Sequence, residues 1–452
     1  MTARLIESLA TTEQLAAVFS DTSVLEAMLD FEVALARAEA RAGIVPKSAA
    51  RQIRAAALPG EFDIDKLSRA MFRAGAPGIA VVKALSEKVR ARDPEAAGWV
   101  HWGATSQDVA DTALVLLLKR AQPILAGDLK RLEKALRALS DAHKTTLMLG
   151  RTLMQAAPPV TFGLKAAGWL GALARGGKRL ESAFKEALVL QFGGASGTLA
   201  SLGDRGAAVA RALAEELGLR CPEAPWHSHR DRLANLVCCC GVLTGSLGKM
   251  ARDISLLMQT EVGEAAEPGG EGRGGSSTMP HKKNPIACAL TLSAAYRVPG
   301  LAASFLSAMV EEHERGLGSW QSEWPTVASI VQATGCAASS MAEVAGGLSV
   351  DPARMRQNTE NTGGLIFAER AMMALAGELG RDVAHKLLED TIQAGIGKNQ
   401  DLGAMLAELP GISSRLKRNV LNQLDTPDGY LGSAEAFRKA LLKGPISKRG
   451  KR

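Results

Sequence analysis

The chain has 452 residues, of which 46% are apolar, 22% charged and only 4% aromatic. This is the balance of a globular protein, not of a disordered or fibrous one, and so few aromatic residues favour an interior of packed helices over sheets. The net charge is +7, but lysine and arginine alternate with acids, and the one basic run, the terminal KRGKR, reads as a solvated tail, not a nucleic-acid arm.

The first long helix is predicted from Ser23 to Arg41, where Leu25, Met28, Leu29, Val33 and Leu35 recur mostly at three- and four-residue steps. Asp21 or Thr22 would cap it, and Gly43 and Pro46 would end it. Shorter helices are expected over Ser48–Ala57 and Asp65–Phe72, with GAPG (Gly75–Gly78) as a turn. Long apolar-striped stretches follow at Asp111–Thr145, Thr161–Val189, Arg205–Leu217, Asp231–Glu264 and Ile286–Glu312, with a kink at Pro123. Helices of about 30 residues span about 45 Å, and their stripes require an antiparallel bundle. From Val350 the predicted helices shorten again (Asp351–Glu360, Leu365–Leu379, Asp382–Ile396). An all-α, three-part chain results: residues 1–108, a long-helix part 109–349 with a glycine-rich loop at 263–285, and residues 350–452.

Six cysteines include the run Cys238–Cys240, but no C-x-x-C or Cys/His ligand spacing occurs, so free thiols and no metal are expected. The N-terminus lacks the apolar core of a signal peptide, and no apolar run approaches the ~18 residues of a membrane span. A soluble, cytoplasmic chain without membrane or nucleic-acid partners is the expectation.

Three separated segments carry chemistry: HWGATSQDVADT (His101–Thr112), GRTLMQAAPPVTFG (Gly150–Gly163) and GGSSTMPHKKNPIAC (Gly274–Cys288). The third sets two serines, two lysines and an asparagine in a glycine- and proline-rich loop between helices. Such a loop admits a ligand and then closes, and its donors stabilise developing negative charge where water is excluded. It is not a phosphate-binding P-loop, because G-x-x-x-x-G-K-[ST] is absent.

In this order, the three segments resemble the signature regions of the fumarase/aspartase superfamily, and the likeness extends over essentially the whole chain. The resemblance implies a homotetramer with a twenty-helix core, a small polycarboxylate substrate, no cofactor, and active sites assembled from three subunits. It places the group that handles a carbon-bound proton at Ser276, and carboxylate binding at Lys282 and Asn284, with Ser277 and Met279 in the same loop. Thr105, Ser106 and Gln107 match the carboxylate-binding first region, although T-S-x-D also caps a helix. Gln155 matches the glutamine of the second region. Arg151 reads as structural, and Arg315 in H-E-R reads either as a substrate clamp or as an ion-pair partner. His101 and His227 are the histidines expected near the site, and Glu264 and Glu267 are expected to be solvated. Trp320 and Trp324, four apart on a helix, would be core or pocket lining.

Two departures bear on the reaction. Superfamily lyases carry R-T-H in the second region and a glutamate five residues after the N-P asparagine; here Leu153 and Ala289 stand at those positions. An enzyme expelling hydroxide or an amide benefits from that acid, whereas a carboxylate, with a pKa near ~4, comes and goes as a stable anion. The superfamily reaction with that property is lactonisation of 3-carboxy-cis,cis-muconate. QFGGASGTLASLG (Gln191–Gly203), PWHSHRDRL (Pro225–Leu233), RDISLLMQTE (Arg252–Glu261) and HERGLGSWQSEW (His313–Trp324) resemble the members that catalyse it. Adenylosuccinate lyase is the alternative enzyme, but Trp324 stands where its pattern has a phosphate-binding arginine. A non-catalytic role, as in lens proteins of the superfamily, would leave the Gly275–Pro285 loop without a use.

Overall fold

The computed structural model describes residues 5–270, 274–275, 279, 282–395, 401–410, 412, 424 and 426–443. Among the described residues the regular structure is helical apart from two short antiparallel strand pairs, in line with the all-α expectation. Packing groups it into two compact units: residues 1–130, 175–249 and 289–341 in the first, and 131–174, 250–288 and 342–452 in the second. The long helices contribute residues to both units.

The first unit opens with α1 (Glu13–Val18) and α2 (Asp21–Arg41), then α3 (Lys47–Ala56), α4 (Ile64–Ala74) and α5 (Pro77–Arg92). Ser20 caps α2, its hydroxyl accepting from the Ser23 amide at 3.3 Å; the expected caps, Asp21 and Thr22, are inside the helix. The α2 stripe of Leu25, Met28, Leu29 and Leu35 is buried, and Glu32 and Glu39 are buried with it. The GAPG segment is not only a turn. Gly75 ends α4 at φ +63°, and Pro77 starts α5 at a position where a missing N–H costs nothing, after which Val81, Leu85 and Val89 recur every fourth residue in the core.

α6 (Ser106–Ala142) continues through Pro123. After it come α7 (Phe162–Ala187), α8 (Gly206–Leu217), α9 (Asp231–Leu257), α10 (Ile286–Ala308) and α11 (Ser319–Gly347). α9 and α10 are long and apolar enough by composition to cross a membrane, which corrects the expectation that no such run exists. Most of the α9 window is buried within the chain, and a third of the α10 window. All six cysteines are free; burial pushes the Cys240 thiol up to about 12.

The second unit holds a hairpin that the apolar periodicity did not indicate. β1 (Leu147–Thr152) pairs with β2 (Gln155–Thr161), from Leu147 opposite Thr161 to Thr152 opposite Gln155, with an irregularity between Met148 and Gly150. Pro158 and Pro159 argue against a strand, but an isolated two-stranded ribbon has only edges and tolerates them. The tip residues Leu153 and Met154 both have left-handed backbones, φ +48° and +66°, at a turn type that ordinarily selects Asn-Gly. β3 (Ala265–Ala266) pairs with β4 (Ser349–Val350), and α12 (Pro352–Glu360), α13 (Ala368–Leu379), α14 (Arg381–Gly395), α15 (Leu402–Glu408) and α16 (Ala434–Lys443) complete the unit. Leu375, Leu388, Leu402 and Leu406 form the core of α13–α15. On α16, the buried Arg438 donates to Asp141 at 2.7 Å and to the Ser140 carbonyl at 3.3 Å.

A Cβ added at Gly150 would lie 2.2 Å from the Pro158 carbonyl oxygen. Gly150→Ala is expected to force the strands apart and destabilise the protein by about 1–3 kcal/mol, as read by urea denaturation.

Candidate active site

In the first unit the site is built on the start of α6. The buried Asp108 carboxylate accepts from the Thr105 amide at 3.0 Å, reaching back as a capping-box acid does. It also accepts from the amides of Gly193 (3.0 Å) and Gly194 (2.9 Å), and it pairs with His227 Nε2 at 2.6 Å. One carboxylate thus fixes the first signature region, the Gly193–Gly194 turn and His227 to each other. Gly194 has φ +68°, and a Cβ there would meet the Gly103 carbonyl at 2.8 Å. His227 is accounted for as a partner of Asp108, and among the described residues no His/Cys/Asp/Glu group forms a metal site.

Arg315 reaches this turn. It donates to Thr105 Oγ1 at 2.9 Å and to the carbonyls of Gly194 (3.3 Å) and Ala195 (2.9 Å). Among the described residues no carboxylate pairs with it, and its Nε is buried without a partner. Carbonyl dipoles hold the cation in place without neutralising it, which leaves charge for an anionic ligand. The Gln107 side chain is fully buried; its Nε2 donates to Asp111 at 3.2 Å and to the His227 carbonyl at 2.9 Å, and its Oε1 has no partner within the described residues. Ser106 is half-buried at the head of α6. Its carbonyl lies 2.7 Å from where a Cβ on Gly78 would be.

Beneath this layer lies a charge cluster that no local sequence pattern shows. Arg230, fully buried, donates to both oxygens of Asp111 (2.7 and 3.0 Å) and to Glu323. Burial pushes Asp111 up, but the Arg230 guanidinium overrides it and holds the acid below its ordinary range. Burial wins at Glu323, which is pushed up to about 7 although Arg230 opposes the shift. The Trp320 indole donates to Asp111 at 3.0 Å, and Trp324 packs against the cluster of Ala76, Ala110 and Trp320. Trp320 is therefore a core residue, while Trp324 is half-buried and lines a cavity with Pro325, Ala328 and Arg297.

His101, at φ +60°, places Nδ1 2.6 Å from the buried Glu32 carboxylate. Burial works against charge on this imidazole, yet the Glu32 carboxylate and its hydrogen bond, with Asp108 farther off, raise its pKa above the ordinary value.

In the second unit, the glycine-rich loop is anchored by two acids expected to be solvated; both are buried. Glu264 receives Arg151 Nη1 at 3.0 Å and Nη2 at 2.5 Å, and Asn358 Nδ2 at 2.8 Å. Arg151, on β1, is thus structural, as expected. Glu267 accepts from the amides of Ala287 (3.1 Å) and Cys288 (2.7 Å), capping α10 where charge complements the helix dipole. The neck of the loop is closed by the Asn284 amide donating to the Gly274 carbonyl at 2.8 Å and by a bridge between Gly275 and Lys283. Gly274 is at φ +68°, where a Cβ would meet the Asn284 carbonyl at 2.9 Å. Ser276 and Ser277 lie outside the described residues. Lys282 is exposed, its amide donating to the Met279 carbonyl at 3.0 Å, while Met279 is exposed and Asn284 half-buried. Gln155 is exposed at the base of the hairpin tip, beside Leu153, which is 96% exposed. Ala289, at the other altered position, is on α10.

A lyase family matches residues 7–300, and the family of adenylosuccinate lyase C-termini matches residues 364–441. A 3-carboxy-cis,cis-muconate cycloisomerase from Bradyrhizobium diazoefficiens is 47% identical over 426 residues, 94% of either chain. One from Pseudomonas aeruginosa is 49% identical over 421 residues, covering 93% of this chain and 92% of the relative. The crystal structure of the 3-carboxy-cis,cis-muconate lactonizing enzyme from Pseudomonas putida superposes with a TM-score of 0.91 at 46% identity, covering 97% of this chain and 98% of that one. With its signature regions, its helical fold and these matches together, the chain belongs to the lyase family of the fumarase/aspartase superfamily.

Proposed function

We propose that this protein is a 3-carboxy-cis,cis-muconate cycloisomerase, interconverting that trianion and 4-carboxymuconolactone in the breakdown of protocatechuate. The observation that carries the reading is the pair of apolar residues, Leu153 and Ala289, at the two positions where superfamily lyases keep an acid and its carboxylate partner. It is supported by relatives of that name at 47% and 49% identity.

The chemistry follows from the groups available. A carboxylate oxygen of the substrate attacks one end of a double bond, forming the ring C–O bond. The electron pair of the double bond moves to the carbon alpha to another carboxylate, which takes up a proton. The attacking oxygen is ionised before the reaction and leaves ionised in reverse, so no side chain has to protonate it. The transient anion at the alpha carbon spreads onto its carboxylate, where Lys282 and the loop amides provide opposing charge. Ser276 handles the carbon-bound proton. Arg315, with Thr105 and Ser106, holds a second carboxylate, and Asn284, Gln155, Ser277 and Met279 complete the surroundings.

The alternative, fumarate elimination from adenylosuccinate, loses support at Trp324. The indole at the position of that enzyme's phosphate-binding arginine packs into the Trp320 cluster, where it offers a dianion nothing.

The protein is an oligomer of the superfamily type in this reading, a homotetramer whose sites each draw on three subunits. Support comes from the apolar residues that a single chain leaves exposed on α9 and α10: Val242 at 51%, Ile286 at 41%, Tyr296 at 67% and Leu306 at 45%.

Purified protein should remove the diene absorbance of 3-carboxy-cis,cis-muconate without added metal or cofactor, and should leave adenylosuccinate, argininosuccinate and fumarate unchanged. Fumarate release from adenylosuccinate would instead establish the alternative. Ser276→Ala is expected to lower kcat by about 100-fold or more with the circular dichroism spectrum unchanged; near-normal turnover would remove Ser276 from its role. Light scattering after size-exclusion chromatography should give the mass of four chains, and a monomer would overturn the shared-site arrangement.

A further inference from the structure

Another cavity, of about 360 Å³, opens in the first unit, and neither Thr105, Ser106 nor Arg315 lines it. Three stretches of chain enclose it. Leu190, Phe192 and Leu199, all buried, form an apolar floor. Gly206, Ala207, Ala210 and Arg211 line one side from one flank of α8, while Val209 and Leu213 on the adjoining flank are buried in the core. The small residues of that flank are what leave the space. Cys221, Pro222 and Pro225 close the other side.

The walls are fixed before any ligand arrives. The Leu190 amide donates to the Arg220 carbonyl at 2.9 Å, the Trp226 indole to the Leu190 carbonyl at 3.0 Å, and the Trp226 amide to Gln191 Oε1 at 2.9 Å. Leu199 has a left-handed backbone, φ +51°, which disfavours leucine and here sets its side chain in the floor. Gly206 makes room for it, since a Cβ there would lie 2.8 Å from that of Leu199. A preformed pocket of this size spares a small molecule most of the ordering that binding usually demands.

The mouth carries uncommitted charge of both signs. Glu223 pairs with Arg232 at 3.1 Å. Among the described residues, however, neither Asp204 nor Arg211 has an ion-pair partner, and the two do not pair with each other. They stand on consecutive helical segments, Ala200–Arg205 and α8, about 10 Å apart along the backbone at 1.5 Å per residue. Burial pushes the Cys221 thiol up although Arg211 opposes the shift, so the sulfur lines the wall as a neutral group. An anion alone would satisfy Arg211 and confront Asp204, and a cation alone would do the reverse. A molecule that carries both charges beside an apolar group suits the mouth and the floor together.

We propose that this cavity binds a small zwitterion, an α-amino acid with an apolar side chain, whose carboxylate faces Arg211, whose ammonium faces Asp204 and whose side chain rests on Phe192. Phe192 adjoins the Gly193–Gly194 turn, so the occupant lies beside the backbone that holds Asp108 and Arg315.

Isothermal titration calorimetry on the intact protein tests the site, with L-phenylalanine and L-leucine as probes. One molecule per chain should bind saturably. 3-Phenylpropionate and phenethylamine, which each lack one of the charges, should bind about 10-fold more weakly or worse. Arg211→Gln and Asp204→Asn should each weaken phenylalanine by a similar factor, and Ala210→Trp, which fills the cavity from α8, should abolish binding. No saturable binding of either amino acid overturns the site. Unchanged affinity in a folded Ala210→Trp protein moves the ligand elsewhere and overturns this cavity; if that variant does not fold, unchanged affinity in both Arg211→Gln and Asp204→Asn does the same. Phenylpropionate binding as tightly as phenylalanine overturns the zwitterion. None of these readings uses turnover, so they hold whether or not the protein converts carboxymuconate.

Discussion

The first unit depends on a single buried carboxylate. Asp108 gathers the Thr105, Gly193 and Gly194 amides and His227 around two oxygens, at the end of α6 where the helix dipole favours negative charge. Removing an ionised group from water is tolerable only when its lone pairs are filled, and here the groups that fill them are the segments that a ligand site requires. The helix start, the glycine turn and the H-E-R arginine therefore share one frame. The Arg230–Asp111–Glu323 cluster, one turn along α6, extends the same logic inward: its charges are engaged with each other and work as scaffolding.

Comparing the arginines shows where chemistry is available. Arg151 and Arg230 each face a buried acid bidentately and so offer little to a substrate. Arg315 is held by a hydroxyl and two carbonyls, which position it without cancelling its charge. In the second unit Lys282 is exposed beside a neck that Gly274, Gly275, Lys283 and Asn284 close from both sides. Glu264 and Glu267 tether the described ends of this segment, one through Arg151 and Asn358 and the other at the start of α10.

Much of the helical architecture was legible, because apolar residues at three- and four-residue steps are a local signal. The limits of α2, α8 and α12 differ from expectation by a residue or two. The failures were also local in cause. Pro77 in GAPG looks the same at a turn and at the first position of a helix, and Pro158–Pro159 speaks against a strand whatever its neighbours. The signature segments were legible as chemistry. Their supports were not, since Arg151 and Glu264 are 113 residues apart, and Asp108 and His227 are 119 apart. The sequence places Glu264 and Glu267 among glycines, which reads as solvent; only the fold shows that they are interior anchors. The contact between Gln107 and the His227 carbonyl was equally illegible, since only tertiary packing brings the two together.

The hairpin tip carries a further lesson. Leu153 and Met154 occupy backbone angles that L-residues with bulky side chains adopt at an expense of order 1–2 kcal/mol each, and in the single chain they shield no core in return. Asparagine and glycine would relax that corner and leave the ribbon intact. A search for thermostabilising substitutions would therefore alight on this dipeptide early, and it is the place where such optimisation and the enzyme's history pull in opposite directions.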